Sequence, residues 1–235
     1  YNIDKMLSFQ NVVVPHTEVP QILYVHQPLP FVDYKFSFKK NKIFWIYQNI
    51  IGKLIKKSIK KAKKVIVQTS WMKKACMGQI GIDSKKIKVI SPKINLNIIR
   101  YFNPSKTNMG TFFFPAGAES YKNHKIIVES CKKLKKQAMN DYNVIFTLKG
   151  NENDSIATLY EEVKELDLPI KFVGGLPRED VFELYTKSIL IFPSYIETFG
   201  LPMLEARLHK TIILASNCPF SNEILEGYEN AYFFN

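Results

Sequence analysis

The chain is 235 residues long, 46% hydrophobic and carries a net charge of +12, enough apolar content to bury a substantial core, which excludes a disordered tail. Its three cysteines, Cys76, Cys131 and Cys218, are far apart and lack C-x-x-C or Cys/His metal spacing, so a disulfide scaffold and a structural metal are not expected, and a reduced, cytoplasmic setting is. No apolar run reaches the roughly eighteen residues of a membrane span, and the charge is uneven, +15 over residues 1–103 against −3 over 104–235.

In chain order, apolar runs over 21–25, 65–69 and 88–91 read as strands, with one long helix over 43–64 between the first two. Along that helix Ile43, Ile46, Tyr47, Ile50, Ile51, Leu54, Ile55, Ser58, Ile59 and Ala62 recur at three- and four-residue spacing and are expected to pack on a sheet. Lys53, Lys56, Lys57, Lys60, Lys61 and Lys64 form a second stripe. That stripe is either a solvated face or, with Lys35, Lys39, Lys40 and Lys42, a surface resting on anionic lipid, which would make the protein peripheral on the inner face of the cell membrane. Three strands and one long helix make an incomplete Rossmann-like unit, and a chain that begins at Tyr1 without methionine is expected to have further sequence before it. Residues 92–110, mixing Asn, Pro, Lys and Ser, read as a linker, so the expected domains are 1–103 and 104–235.

The second half has a regular rhythm. Strands are expected over 111–115, 143–148, 170–173, 188–192 and 211–215, and helices over 125–139, 156–166, 178–187, 201–209 and 221–226. Short strands alternating with helices of about ten residues imply a parallel, doubly wound α/β sheet, with every strand's C-terminal end on one edge. Ligands bind along that edge.

The segment PSYIETFGLPMLE, residues 193–205, leaves the strand over 188–192 and enters a helix whose early Pro202 falls where a missing N–H is tolerated. Gly200 at its mouth has no side chain to block close approach, and the helix N-terminus favours phosphate. Glu197 in the loop and Glu205, read as lying in the first helical turn, frame that terminus. Carboxylates repel phosphate, so the pair fits hydroxyls on either side of a diphosphate, one on a sugar and one on a ribose. The plainer reading is that Glu205 complements the helix dipole and Glu197 is solvated.

Pro193-Ser194, Glu197-x-Phe199-Gly200, Leu201-Pro202 and Glu205-Ala206 together resemble the signature of family 4 glycosyltransferases, and the likeness extends to residues 211–216, Glu223 and the turn Phe172-Val173-Gly174. The resemblance implies a GT-B fold of two Rossmann-like domains and transfer of a hexose from a UDP- or GDP-sugar with retention of configuration. It implies that Glu197 lies against the donor sugar, that Glu205 holds ribose hydroxyls, that Phe199, Gly200 and Leu201 line the diphosphate loop, and that Gly174 borders the base. Lys122, in Tyr121-Lys122-Asn123-His124, matches the lysine that neutralises the diphosphate, a preorganised charge that needs neither metal nor cofactor. The preceding turn, with Gly117 and followed by Asn123, lacks the arginine many relatives carry there, so His124 or another base is expected to help. His26, after the strand over 21–25, resembles a histidine that lies near the reacting sugar; alone it is equally an ordinary loop histidine.

The expected partners are a nucleotide-sugar donor and a glycan or lipid-linked acceptor of surface polysaccharide assembly. A competing reading is a non-catalytic basic module binding nucleotide, membrane or nucleic acid, but no nucleic-acid motif or aromatic platform accompanies the lysines, so no nucleic-acid partner is expected. A sugar phosphorylase would need a pyridoxal phosphate lysine site, and none is identifiable.

Overall fold

The computed structural model describes residues 3–94 and 100–235. They divide into two compact units, one built from residues up to 93 together with 196–199, the other from the described part of 94–195 with 200–235. Both are α/β with parallel sheets, as the sequence rhythm predicts.

In the first unit, β1 (Met6–Ser8), β2 (Gln21–Val25), β3 (Lys64–Val67) and β4 (Ile87–Val89) pair in that order. Leu23, Val25, Val65 and Val67 point into a core closed by Ile55, Ile59, Met72 and Cys76. Where one long helix is predicted over 43–64, the chain forms α1 (Lys42–Ile46), a π-helical stretch Tyr47–Ile51, and α2 (Gly52–Lys61). The predicted apolar positions do not all share one buried face along this segment with its wide turn: Ile55 and Ile59 are buried, whereas Ile43, Tyr47, Ile50 and Leu54 are exposed. Gln48 accounts for the turn: its side chain is buried, donates to Leu29 O (3.2 Å) and Tyr34 O (2.6 Å), and accepts from Phe36 N (3.1 Å). The helix stops at Lys61 because Ala62 turns extended, so Lys64, predicted as part of the lysine stripe, lies instead on β3. Two elements absent from the sequence reading complete the unit, β1 and the helix α3 (Ser70–Ile80).

The second unit begins in the predicted linker. Residues 95–99 of that linker lie outside the described residues, but Phe102 N bonds His209 O (2.8 Å), and Ser105 caps a short helix α4 (Lys106–Met109) through Asn108 N (3.2 Å). There follow β5 (Thr111–Phe114), α5 (His124–Lys136), β6 (Asn143–Phe146), α6 (Asp154–Glu165), β7 (Ile170–Phe172), α7 (Arg178–Lys187), β8 (Ile189–Phe192), α8 (Leu201–Leu208), β9 (Ile213–Ser216), α9 (Pro219–Ile224) and β10 (Ala231–Phe234). The sheet order is β10-β9-β8-β5-β6-β7, all parallel. Chain order runs outward from β5 to β7, then jumps back to β8 on the other side of β5 and runs outward again. The terminal apolar run 231–234 is a sixth strand beyond the predicted five.

Aromatic rings fill the centre of this sheet. Phe114 meets Phe192 edge-on at 5.9 Å and Phe146 at 6.3 Å, all three essentially without exposure. Each such burial contributes roughly 1.5–3 kcal/mol.

Candidate functional site

The order reversal between β5 and β8 is a topological switch point, where neighbouring crossovers diverge and leave a crevice at the strands' C-terminal ends. The loops leaving those two strands meet there: Tyr195 N donates to Tyr121 O at 3.1 Å. The sequence motifs map onto this edge.

After β5 the backbone turns through Ala116, whose N–H donates to Thr147 Oγ1 (3.1 Å), and an exposed Gly117. It then forms a 3-10 turn, Ser120–Lys122. Lys122 is half-buried at the end of that turn, its Nζ 5.6 Å from the Tyr121 ring centroid. Asn123 takes a left-handed conformation (φ 63°) to start α5. After β7, Gly174 (φ 75°) donates from its N–H to Leu148 O (2.9 Å), which holds the β6 and β7 loops together on the same edge.

After β8, Pro193 and Ser194 are buried and Gly200 is the N-cap of α8 at φ 90°. A side chain there would be strained by that φ and its Cβ would lie 2.6 Å from Met203 Cε. Pro202 lies within the first turn and Leu201, at 44% exposure, opens the helix to solvent.

Glu205 lies one turn farther in than predicted. With Gly200 as cap the first turn is Leu201–Leu204, and it holds no acidic residue, so Glu205 does not complement the helix dipole. Its carboxylate, 14% exposed, instead accepts from Tyr185 OH at 3.2 Å on Oε2 and from Arg178 Nη2 at 3.3 Å on Oε1. Burial first, and the Glu205 charge second, push the Tyr185 hydroxyl well above its ordinary pKa, so it remains a donor.

His124 does not fit the predicted role of a charge near a diphosphate. It is 3% exposed, packed against Phe114 (4.7 Å) and Phe146 (5.0 Å), and its Nε2 has no hydrogen-bond partner among the described residues. Burial, reinforced by Lys122, lowers its pKa to about 4, which leaves it neutral at pH 7.

Three predicted residues belong to the first unit. Glu197 and Phe199 lie in the segment 196–199 that groups with it; within that unit Thr69 Oγ1 (2.9 Å) and Trp71 Nε1 (3.2 Å) both donate to Thr198 O. His26 directly follows β2, as predicted, with its N–H bonded to Asn11 Oδ1 (2.7 Å) and its Nε2 3.3 Å from Asn11 Nδ2. Desolvation lowers its pKa. The second unit thus carries Lys122, Asn123, Gly117, Gly174, Gly200, Leu201 and Glu205 on one edge, joined by Arg178 and Tyr185, which the sequence reading did not single out.

Among the described residues no group of three or more His, Cys, Asp or Glu is placed to hold a metal ion, and no helix is long and apolar enough to cross a membrane.

A family model described as glycosyl transferases group 1 matches residues 97–235. The O-antigen chain mannosyltransferase RfbU of Salmonella typhimurium is 28% identical over 231 residues, an alignment covering 94% of this chain and 60% of RfbU. Among solved structures, TarM superposes with a TM-score of 0.69 at 17% identity, over 94% of this chain and 41% of TarM. Anabaena HepE, solved with UDP and glucose, superposes at 0.68 and 19% identity, over 92% of this chain and 58% of HepE. The structural likenesses establish the fold, and the chain spans about 60% of the length of RfbU.

Proposed function

Because the chain belongs to the glycosyl transferases group 1 family, we propose that the switch-point edge of its six-stranded sheet is the donor site of a retaining hexosyltransferase. The observation that carries this reading is Glu205, a carboxylate fixed beside a glycine-capped helix terminus at the reversal of strand order. A helix terminus suits the diphosphate and a fixed carboxylate beside it suits ribose hydroxyls. Neither the non-catalytic reading nor the phosphorylase reading is favoured by any observation of this site.

In this reading Lys122 and the N–H groups at the start of α8 stabilise the charge that grows on the leaving diphosphate, and no metal or cofactor is required. Gly174 and Gly117 leave room for base and phosphates, and Asn123 shapes the turn that presents Lys122. The family resemblance assigns Glu197 and Phe199 to the donor sugar and His26 to the reacting sugar. The acceptor hydroxyl attacks from the leaving-group face, which retains configuration. The family resemblance leaves UDP and GDP as donors; HepE, crystallised with UDP and glucose, supports the first, and RfbU, an O-antigen chain mannosyltransferase, supports a mannose donor and a surface-polysaccharide acceptor, glycan or lipid-linked. Lys53, Lys57, Lys60 and Lys61 are exposed on α2 and suit an anionic membrane surface, which would place the enzyme peripherally on the cytoplasmic side.

Slow hydrolysis of the donor sugar by the full-length protein, followed by NMR of the newly released hexose, tests the reaction class. Release of the donor's own anomer agrees with the proposal. Release of the opposite anomer, or hydrolysis unaffected by Lys122→Ala, contradicts it.

A further inference from the structure

We infer that Tyr185 is the residue that positions Glu205 for a ribose diol, and that Arg178 is a replaceable surface partner of the same carboxylate. The inference rests on the reading of Glu205 as the ribose acceptor.

The two contacts to Glu205 are similar in length, 3.2 Å from Tyr185 and 3.3 Å from Arg178, but differ in rigidity. Tyr185 has no exposed surface; its ring is edge-on to Phe113 (5.9 Å) and lies against His209 (5.6 Å), and Thr211 Oγ1 donates to its backbone carbonyl (2.6 Å). Its hydroxyl cannot leave Oε2 without disturbing that packing. The Arg178 side chain is 62% exposed and reaches Oε1 with a single nitrogen while its guanidinium lies 5.0 Å from the Phe182 centroid. With its guanidinium largely in solvent, an ion pair of that kind contributes little.

An ionised carboxylate offers about four lone-pair directions. Tyr185 occupies one of them on Oε2 from a buried position, and Arg178 occupies one on Oε1 from an exposed one. A ribose hydroxyl donating to Oε1 takes up the direction used by the arginine, which retains its stacking on Phe182. Were the tyrosine hydroxyl removed, the carboxylate would be free to rotate toward Arg178, and its geometry toward two adjacent hydroxyls would be lost.

The test compares the affinity of the full-length protein for UDP and GDP with that for their 2′,3′-dideoxy forms, in wild type, Tyr185→Phe, Arg178→Met and Glu205→Gln, with thermal melts alongside. A hydrogen bond to a charged group contributes enough for wild type to prefer the intact diol about tenfold or more. Tyr185→Phe, which keeps the ring, should reduce that preference to about threefold or less, and Arg178→Met should leave it within about twofold of wild type. If Glu205→Gln abolishes the preference but Tyr185→Phe retains it, the positioning role of Tyr185 is overturned while the ribose reading stands. If Arg178→Met abolishes it as fully as Glu205→Gln, the arginine is the holding group and the inference fails, whether or not Tyr185→Phe folds. If Glu205→Gln leaves the preference intact, the ribose reading fails and the inference with it.

Discussion

The two sheets of this protein use the same parallel strand pairing but differ in strand order. The first unit's strands pair in simple chain order, β1 to β4, so its crossovers all advance in one direction. In the second unit the order reverses between β5 and β8, and the loops leaving those two strands are the ones that carry Lys122 and Gly200. A reversal separates two crossovers and leaves their loops free to converge on a ligand. The charge differs in the opposite sense, +15 on residues 1–103 and −3 on the rest. The proposed nucleotide site thus lies in the less basic region, where net charge alone would not have placed it.

If this contrast is right, substitutions on the reversed edge should affect turnover more than substitutions in the first unit. Lys122→Ala should lower the rate of sugar transfer by about 10²–10³-fold, the loss typical of one preorganised charge at a developing anion. His26→Ala, in the first unit, should cost about tenfold or less under the same steady-state assay. The reverse ranking would break the comparison.

The stability of the second unit should depend on pH through His124. Its folded pKa of about 4 lies below the ordinary 6.5, so the unfolded chain binds the proton more readily between those values. Stability from this source is intact above pH 6.5, falls as pH drops toward 4, and falls no further below it. At about 1.4 kcal/mol per pH unit of separation, the loss is on the order of 3 kcal/mol. Urea midpoints measured from pH 7 to 4 should show it, and His124→Phe should flatten that part of the curve. The first unit's His26 is exposed and should contribute much less.

Smaller effects sharpen the contrast further. Gly200→Ala should destabilise the protein by roughly 1–2 kcal/mol, because the residue must hold φ 90°; a thermal melt reads this. On the basic unit, Lys57→Gln should weaken binding to anionic vesicles about fivefold, near 1 kcal/mol for one lysine, with the difference vanishing at high salt. Binding that ignores salt would remove the membrane face from the account.

The second unit was largely legible in the sequence because its strands are short apolar runs separated by helices with clear periodicity. Its motif lies where the strand-helix rhythm places it, after β8. The first unit was less legible. Its π turn depends on Gln48 finding three backbone partners 12 to 19 residues away, which no local period encodes. Strand β1 is only three residues long, and α3 has a mixed apolar and lysine sequence with weak periodicity. At the site, the motif points to Glu205 but not to its place one turn inside α8. Its partners Arg178 and Tyr185 are 27 and 20 residues away on α7, where each reads as an ordinary position of an amphipathic helix. Sequence adjacency to Lys122 suggests a second charge at His124, whereas that ring is folded inward among phenylalanines.

The central claim is that the reversed edge of the six-stranded sheet binds a nucleoside diphosphate through Glu205. Calorimetric titration of UDP and GDP into wild-type protein and Glu205→Gln tests it most directly. The account predicts saturable binding of at least one of the two to wild type and affinity lower by about tenfold or more in the variant, the loss expected for hydrogen bonds to a charged acceptor. Equal affinity in the two proteins, or no binding of either nucleotide to wild type, would contradict it.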